Sequence, residues 1–157
     1  MNPGPVQKQE RIENISCPSP ISTFALWRRA KINFCLLKQT LTTKNFDMFT
    51  VSESWLDRTV CDADIRIPGY TNFRQDRGPH KRGGGVLVYV KDIYKAYVIE
   101  KWSSVSESNF QQIWSKVQCK KFKSFLPCTV YRPPNALIDF LENLSETFVD
   151  SLLLAQT

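Results

Sequence analysis

The chain has 157 residues, of which 42% are hydrophobic and 23% charged, a composition typical of one globular domain and not of a disordered or fibrous protein. No apolar run approaches the ~18–20 residues of a membrane helix, and the N-terminus lacks the apolar core of a secretory signal, so we expect an intracellular protein, nuclear or cytoplasmic, without a membrane partner. A formal net charge of +6 suits an anionic partner.

The first part of the chain predicts a leader followed by a helix. Residues 1–20 contain four of the nine prolines and almost no periodic apolar signal, so we interpret residues 1–25 as a poorly ordered leader and residues 26–157 as the domain. From about Trp27 to Lys44 the apolar residues follow a helical spacing. Thr42, Thr43 and Asn45 then predict the end of this helix.

The middle of the chain predicts β-strands. Asp47–Glu53 is a short apolar run with the length of a central strand covered on both faces. Tyr70–Arg74 and Val86–Val90 predict a hairpin that is joined by a charged, glycine-rich turn. Further strands are predicted near Ala96–Ile99, Gln111–Val117 and Ser124–Tyr131.

The C-terminal part predicts a long amphipathic helix. Pro133-Pro134 ends the last strand, and Asn135 can cap a helix. Its single apolar stripe contains Leu137, Phe140, Leu141, Leu144, Phe148 and Leu152. The order of elements predicts an α+β fold in which helices cover β-sheet. A helix of this kind normally leads back into a sheet, so we expect that the C-terminal part of the domain is missing from this chain.

Glu53 is the first candidate for chemistry. A carboxylate at the end of a buried strand is costly unless a cation holds it, and a divalent metal is one such cation. The alternative is a solvated glutamate, or one that is paired with Lys or Arg.

The segment from Arg74 to Gly85 combines basic residues with three consecutive glycines. Glycine lets a backbone approach phosphate closely, and Arg77, Lys81 and Arg82 could neutralise the phosphate charge. The alternative is a solvated hairpin tip, in which His80 is an exposed loop residue.

Tyr131 and Arg132 end a predicted strand. Tyr131 could orient a metal-bound water or a phosphate oxygen, and Arg132 could contact phosphate. The alternative is a core aromatic residue followed by a surface arginine. The four tryptophans, Trp27, Trp55, Trp102 and Trp114, are interpreted as packing residues.

The five cysteines favour free thiols in a reducing compartment. They are odd in number, widely spread and without a C-x-x-C pair, and His80 is the single histidine. Zinc coordination and cysteine-based catalysis are therefore disfavoured.

These motifs occur together in a specific order. It runs from Phe46-Asp47 through Glu53-Ser54-Trp55-Leu56, Ile67-Pro68-Gly69-Tyr70 and Arg82-Gly83-Gly84-Gly85-Val86 to Val130-Tyr131-Arg132-Pro133-Pro134. The set resembles the endonuclease domain of non-LTR (LINE-type) retrotransposons, which belongs to the endonuclease/exonuclease/phosphatase superfamily. The resemblance covers about Lys31 to Leu152.

The resemblance implies an α/β sandwich in which two packed sheets are flanked by helices. It also implies Mg²⁺- or Mn²⁺-dependent cleavage of phosphodiesters, with nicking of target DNA before reverse transcription. DNA and a reverse transcriptase domain of the parent protein are the implied partners. On matching positions, Glu53 corresponds to the metal-binding glutamate and Tyr131 to the active-site tyrosine.

The chain also departs from the family pattern. The stretch from Ser19 to Trp27 offers no counterpart of the family's active-site asparagine. The Gly-Asp-Phe-Asn-like strand and the later Asp-His pair are absent from the 157 residues. Because such groups act as a unit, we expect the isolated polypeptide to be inactive and to bind metal weakly.

Two other functions stay open. One is a non-catalytic, basic nucleic-acid-binding module, and the other is a phosphomonoesterase of the same superfamily. The Arg-Gly-Gly-Gly and Arg-Pro-Pro segments favour the retrotransposon branch over the phosphomonoesterase.

Overall fold

The structure is a computed structural model in which two β-sheets pack face to face. It describes residues 11–15, 24–28, 34–78, 83–106, 110–120, 124–134 and 139–155.

The first sheet has five strands, in the spatial order β1-β2-β3-β5-β4. β2 and β3 are parallel, and every other pair in this sheet is antiparallel. The strands are β1 (Arg11–Ile15), β2 (Phe24–Arg28), β3 (Met48–Ser52), β4 (Tyr70–Gln75) and β5 (Val86–Lys91). The predicted central strand and the predicted hairpin are both confirmed, as β3 and as the pair β4–β5.

Helix α1 (Phe34–Lys44) covers one face of the first sheet. Leu37 and Leu41 are fully buried and pack in one cluster with Phe49 of β3 and Tyr89 of β5. The helix ends where Asn45 adopts a left-handed conformation and its backbone N–H donates to the carbonyl of Leu41 at 3.0 Å.

The predicted start of this helix, near Trp27, was wrong. Trp27 lies in β2, where it is the Cα partner of Val51 in β3. The run Phe24-Ala25-Leu26-Trp27 is apolar without a clear period, and such a short run fits a buried strand as well as a helical turn. Pairing with the edge of β3 decides in favour of the strand.

The second sheet is built around one long strand. β8 (Gln111–Gln118) pairs antiparallel with β6 (Lys95–Val98), β7 (Ser104–Val105) and β9 (Cys128–Tyr131). A short 3-10 helix, Glu100–Trp102, separates β6 from β7. β6, β8 and β9 match the three further strands that the sequence predicts.

The two sheets share a core because alternate residues of their strands face each other. Met48 of β3 and Val88 of β5 pack against Ile113 and Val117 of β8 and against Tyr131 of β9. The opposite face of β8 carries Trp114.

Helix α2 (Asp139–Ala155) contacts this outer face of the second sheet. The ring of Phe148 meets Trp114 edge-on with the centroids 5.1 Å apart, and Trp102 meets Trp114 at 5.6 Å. The layers are therefore helix, sheet, sheet, helix, which confirms the predicted α+β class with two packed sheets flanked by helices. Apolar side chains of α2 that stay largely exposed include Leu141, Val149, Leu152 and Leu153.

Two predictions, the leader over residues 1–25 and the helix cap at Asn135, are not tested by the structure. β1 and the first two residues of β2 lie within residues 1–25, the segment predicted as a leader, and the division of the chain at residue 25 stays a prediction. The predicted cap Asn135 lies outside the described residues. Among the described helices, none combines the length and the apolar composition that crossing a membrane requires.

Candidate active site

The candidate site lies where one strand of each sheet ends. The Ser52 hydroxyl, in the last residue of β3, donates to the carbonyl oxygen of Val130 in β9 at 3.3 Å. This contact brings the C-terminal ends of β3 and β9 together across the sandwich. Glu53 directly follows β3, and Tyr131 is the last residue of β9.

Glu53 and Tyr131 contact each other at this point. The Tyr131 phenol donates a hydrogen bond to the Glu53 carboxylate, and Tyr131 is 5% exposed while Glu53 is half-buried. Burial raises the pKa of Tyr131 above 10.0, and the negative charge of Glu53 and the hydrogen bond to it raise this pKa further. The phenol is therefore a protonated donor at neutral pH.

Gly83 closes one side of this pair. A Cβ built on Gly83 would lie 3.2 Å from Oη of Tyr131 and 3.6 Å from Oε1 of Glu53. Gly83 also has a φ of +78°, a conformation that other residues rarely adopt. Glycine at this position therefore keeps space open directly beside the carboxylate and the phenol.

Two of the three glycines, Gly84 and Gly85, accept hydrogen bonds from the segment that follows Glu53. The backbone N–H of Ser54 donates to the carbonyl of Gly85, and the N–H of Trp55 donates to the carbonyl of Gly84, both at 2.8 Å. A Cβ on Gly85 would overlap Oγ of Ser54. The glycine-rich turn and the Glu53 segment thus form one closely packed unit.

The buried side chain of Gln111 supports this unit from the second sheet. Its Oε1 accepts the N–H of Gly85, and its Nε2 donates to the carbonyl of Asp76 at 2.8 Å. One amide therefore joins the start of β8 to both ends of the β4–β5 connection.

The backbone at the site is strained. Glu53 has a φ of +65° and Trp55 a φ of +59°, and such left-handed conformations cost roughly 1–2 kcal/mol for residues with a Cβ. Strain of this kind persists where surrounding contacts hold it, and it is common at functional sites.

The basic residues predicted to contact phosphate have different positions. Arg132 follows Tyr131 and is exposed. Arg77 is half-buried, and its guanidinium forms an ion pair with Asp57 at 2.5 Å. Lys81 and Arg82 lie outside the described residues, as does His80.

The described residues do not complete a metal site. Mg²⁺ in proteins is held by one or two carboxylates together with waters and phosphate oxygens, so Glu53 fits one ligand position. Within the described ranges, however, no group of three or more His, Cys, Asp or Glu side chains could hold a metal ion.

β2, which pairs with β3, adds no candidate metal ligand to the site. β2 runs parallel to β3, and its last residue, Arg28, is the Cα partner of Ser52. The sequence of β2, Phe-Ala-Leu-Trp-Arg, contains no asparagine and no carboxylate.

Two residues of the site were missed by the sequence-based interpretation. Trp55 was assigned to packing, and it is 36% exposed beside the site, whereas Trp102 and Trp114 are buried. Gln111 was assigned only to a strand. The sequence contains no clear signal for Gln111, because β8 contains several other polar residues.

Comparison with known proteins finds no family model that matches the chain and no curated protein that matches it.

Proposed function

We propose that the chain is part of a divalent-metal-dependent DNA endonuclease, of the kind that nicks target DNA for retrotransposition, and that it is inactive as a 157-residue polypeptide. Mg²⁺ or Mn²⁺ is the proposed cofactor and DNA the proposed partner. A reverse transcriptase domain would belong to the parent protein.

The contact between Glu53 and Tyr131 carries this proposal. A carboxylate and a protonated phenol meet at two strand ends, next to a glycine that leaves space beside them. The carboxylate can bind a cation, and the phenol O–H, released from Glu53 by that binding, can donate to a phosphate oxygen instead. A metal bound there would act as a Lewis acid toward the phosphodiester.

The basic residues near this pair would bind the DNA backbone. Arg132 adjoins Tyr131 in the chain, and Arg77, Lys81 and Arg82 belong to the connection between β4 and β5. Their proposed role is to neutralise phosphates, which makes binding strongly dependent on salt. For Arg77 this role competes with its ion pair to Asp57.

The proposed inactivity follows from the residues that the reaction needs. Hydrolysis requires an activated water, an oriented phosphate and charge stabilisation at once, and such groups act as a unit. The sequence contains one histidine, His80, and none of its segments matches the Asp-x-Asn and Asp-His elements. Incubation with supercoiled plasmid and Mg²⁺ or Mn²⁺ should therefore give no nicking above a Glu53→Ala control.

A binding experiment tests the metal site directly. Affinity for a labelled DNA duplex is measured at constant ionic strength with and without Mn²⁺. The wild type should gain affinity a few-fold with Mn²⁺, because Glu53 would hold the metal and the added positive charge would attract the DNA backbone. Glu53→Gln should bind more tightly than wild type without metal, since a negative charge is gone, and should gain nothing from Mn²⁺.

Two outcomes would contradict the proposal. An equal effect of Mn²⁺ on both proteins would place metal binding away from Glu53. Steeply salt-dependent DNA binding with no effect of metal or of Glu53→Gln would favour the non-catalytic nucleic-acid-binding module, for which the net charge of +6 is the supporting observation.

A further inference from the structure

Trp55 is an exposed aromatic side chain directly beside the Glu53–Tyr131 pair. Its Cζ2 lies 3.9 Å from the point where a Cβ on Gly83 would stand, and Oη of Tyr131 lies 3.2 Å from the same point. The indole is 36% exposed. The indole therefore presents part of a flat apolar face at the surface, directly beside the site.

The backbone that carries this ring is fixed. Trp55 is held in the left-handed region, at a φ of +59°, by its hydrogen bond to Gly84. The residues on either side, Ser54 and Leu56, are buried, and each is 2% exposed. A side chain that leaves a strained and otherwise buried segment toward solvent has a defined direction, and holding it there costs little further entropy on binding.

The guanidinium of Arg77 lies near the Trp55 ring. Its distance to the centre of the ring is 6.0 Å, within the range of a cation–π contact. The guanidinium is itself fixed by Asp57, and the N–H of Arg77 donates to the carbonyl of Leu56 at 3.0 Å. The hydroxyl of Thr59 and then the guanidinium of Arg77 keep the pKa of Asp57 far below its usual range, so this ion pair persists at neutral pH.

A planar, rigid and partly exposed aromatic ring next to a phosphate site is suited to one chemical group. The flat face of an unpaired nucleobase stacks on such rings, and every base can do so. A phosphate bound near Tyr131 would carry its own base only a few ångströms away. The ion pair between Arg77 and Asp57 fixes the guanidinium that lies near the ring.

From this geometry we propose that Trp55, positioned by Arg77, stacks on an unpaired base next to a phosphate that Tyr131 and a cation on Glu53 would hold. The inference rests on the proposed function, because the phosphate is what brings the base within reach. It assigns the site a single-stranded or locally opened nucleic-acid strand as its ligand.

The test compares two oligonucleotides that differ only in their bases. The full chain is titrated at low salt, in the presence of Mn²⁺, with a labelled oligothymidine strand and with an abasic strand of the same length and charge. One stacked base contributes about 1–3 kcal/mol, so the base-bearing strand should bind roughly five- to 150-fold more tightly. Because both strands carry the same phosphates, salt effects cancel in this ratio.

Variants locate the effect. Trp55→Ala should bring the ratio close to one, and Trp55→Phe should retain part of it. Tyr97→Ala is the matched control, since Tyr97 is an exposed aromatic residue on β6, 42% exposed, and the ratio should stay unchanged. Thermal unfolding of each variant shows whether it is folded.

The outcomes separate this inference from the proposed function. A wild-type ratio near one, or a ratio that Trp55→Ala leaves intact, overturns the stacking role whatever Mn²⁺ does. A Glu53-dependent effect of Mn²⁺ together with such a result would leave the proposed function standing. A high, Trp55-dependent ratio without any metal effect would support base stacking and overturn the endonuclease proposal.

Discussion

At the scale of single residues, the charge of Glu53 and the ionisation of Tyr131 are coupled. Burial is the largest cause of the raised pKa of Tyr131, and Glu53 adds to it by charge and by hydrogen bonding. Glu53→Gln should therefore lower the pKa of Tyr131 relative to wild type and still leave it above 10.0. NMR of labelled tyrosine rings during a pH titration measures this change.

Tyr89 is the internal control for this titration. Burial also raises the pKa of Tyr89, and the positive charge of Arg74 lowers it. The Tyr89 titration should not change in Glu53→Gln. An unchanged Tyr131 pKa in the variant would mean that the carboxylate and the phenol are apart in solution.

Some residues of the site could be predicted from the sequence, and others could not. Glu53 and Tyr131 were found because each one ends a strand, and polar residues at strand ends commonly face a shared site. Trp55 was not found, because the sequence around this tryptophan does not show whether its side chain is buried or exposed. Its exposure depends on the left-handed backbone at Glu53 and Trp55, which the local sequence does not dictate.

At the scale of elements, the strands were predicted better than their partners. Val86–Val90 consists of apolar and strand-forming residues throughout, so its type was clear from composition. The parallel pairing of β2 with β3 was missed, because it joins residues that are distant in the chain and leaves no local pattern. The boundary between β2 and α1 was misjudged for the same reason.

The glycine-rich turn at Gly83 to Gly85 can be tested by substitution, and Gly69 provides a matched control. Gly85→Ala places a methyl group at a φ of +86° and against Oγ of Ser54, with the N–H of Trp55 3.2 Å away. Gly69→Ala has a similar φ of +84° with nothing within 4 Å of the new methyl group. Both variants gain backbone strain of about 1–2 kcal/mol, and only Gly85→Ala gains a steric clash.

Chemical denaturation of the two variants tests this difference. Gly85→Ala should lose more unfolding free energy than Gly69→Ala, by at least about 1 kcal/mol, the lower end of the cost of overpacking. It should also weaken DNA binding, because Trp55 is bonded to the same turn. Equal destabilisation of the two variants would show that the Glu53 segment and the glycine turn are not in close contact.

At the scale of the whole molecule, the fold class was predictable because it depends on summed patterns. Two runs of buried strand residues and two helices with an apolar side must cover each other, and few arrangements do so. The sandwich also buries phenols in both of its cores: Tyr89 lies between α1 and the first sheet, and Tyr131 lies between the sheets. This distribution links global stability to alkaline pH.

The sign of that link follows from the folded-state pKa values. Tyr70, Tyr89, Tyr94 and Tyr131 all have pKa values raised above 10.0, with burial as the largest cause. The folded protein then holds protons that the unfolded chain releases. Their contribution to stability is complete below pH 10 and is lost as the pH rises from there through the higher folded-state pKa values.

Tyr89 should dominate this loss, because it is fully buried and donates to the carbonyl of Ile65 at 2.6 Å. Tyr89→Phe removes the ionisable group and leaves that carbonyl without this donor, which costs about 1–3 kcal/mol near neutral pH. As the pH rises above 10, the variant should then lose less unfolding free energy than wild type, about 1.4 kcal/mol less for each pH unit until the folded-state pKa of Tyr89 is reached. Lysines titrate in both proteins, so the difference between the two urea-denaturation series isolates the phenol. Parallel losses in wild type and variant would refute the assignment of Tyr89 to the core between α1 and the first sheet.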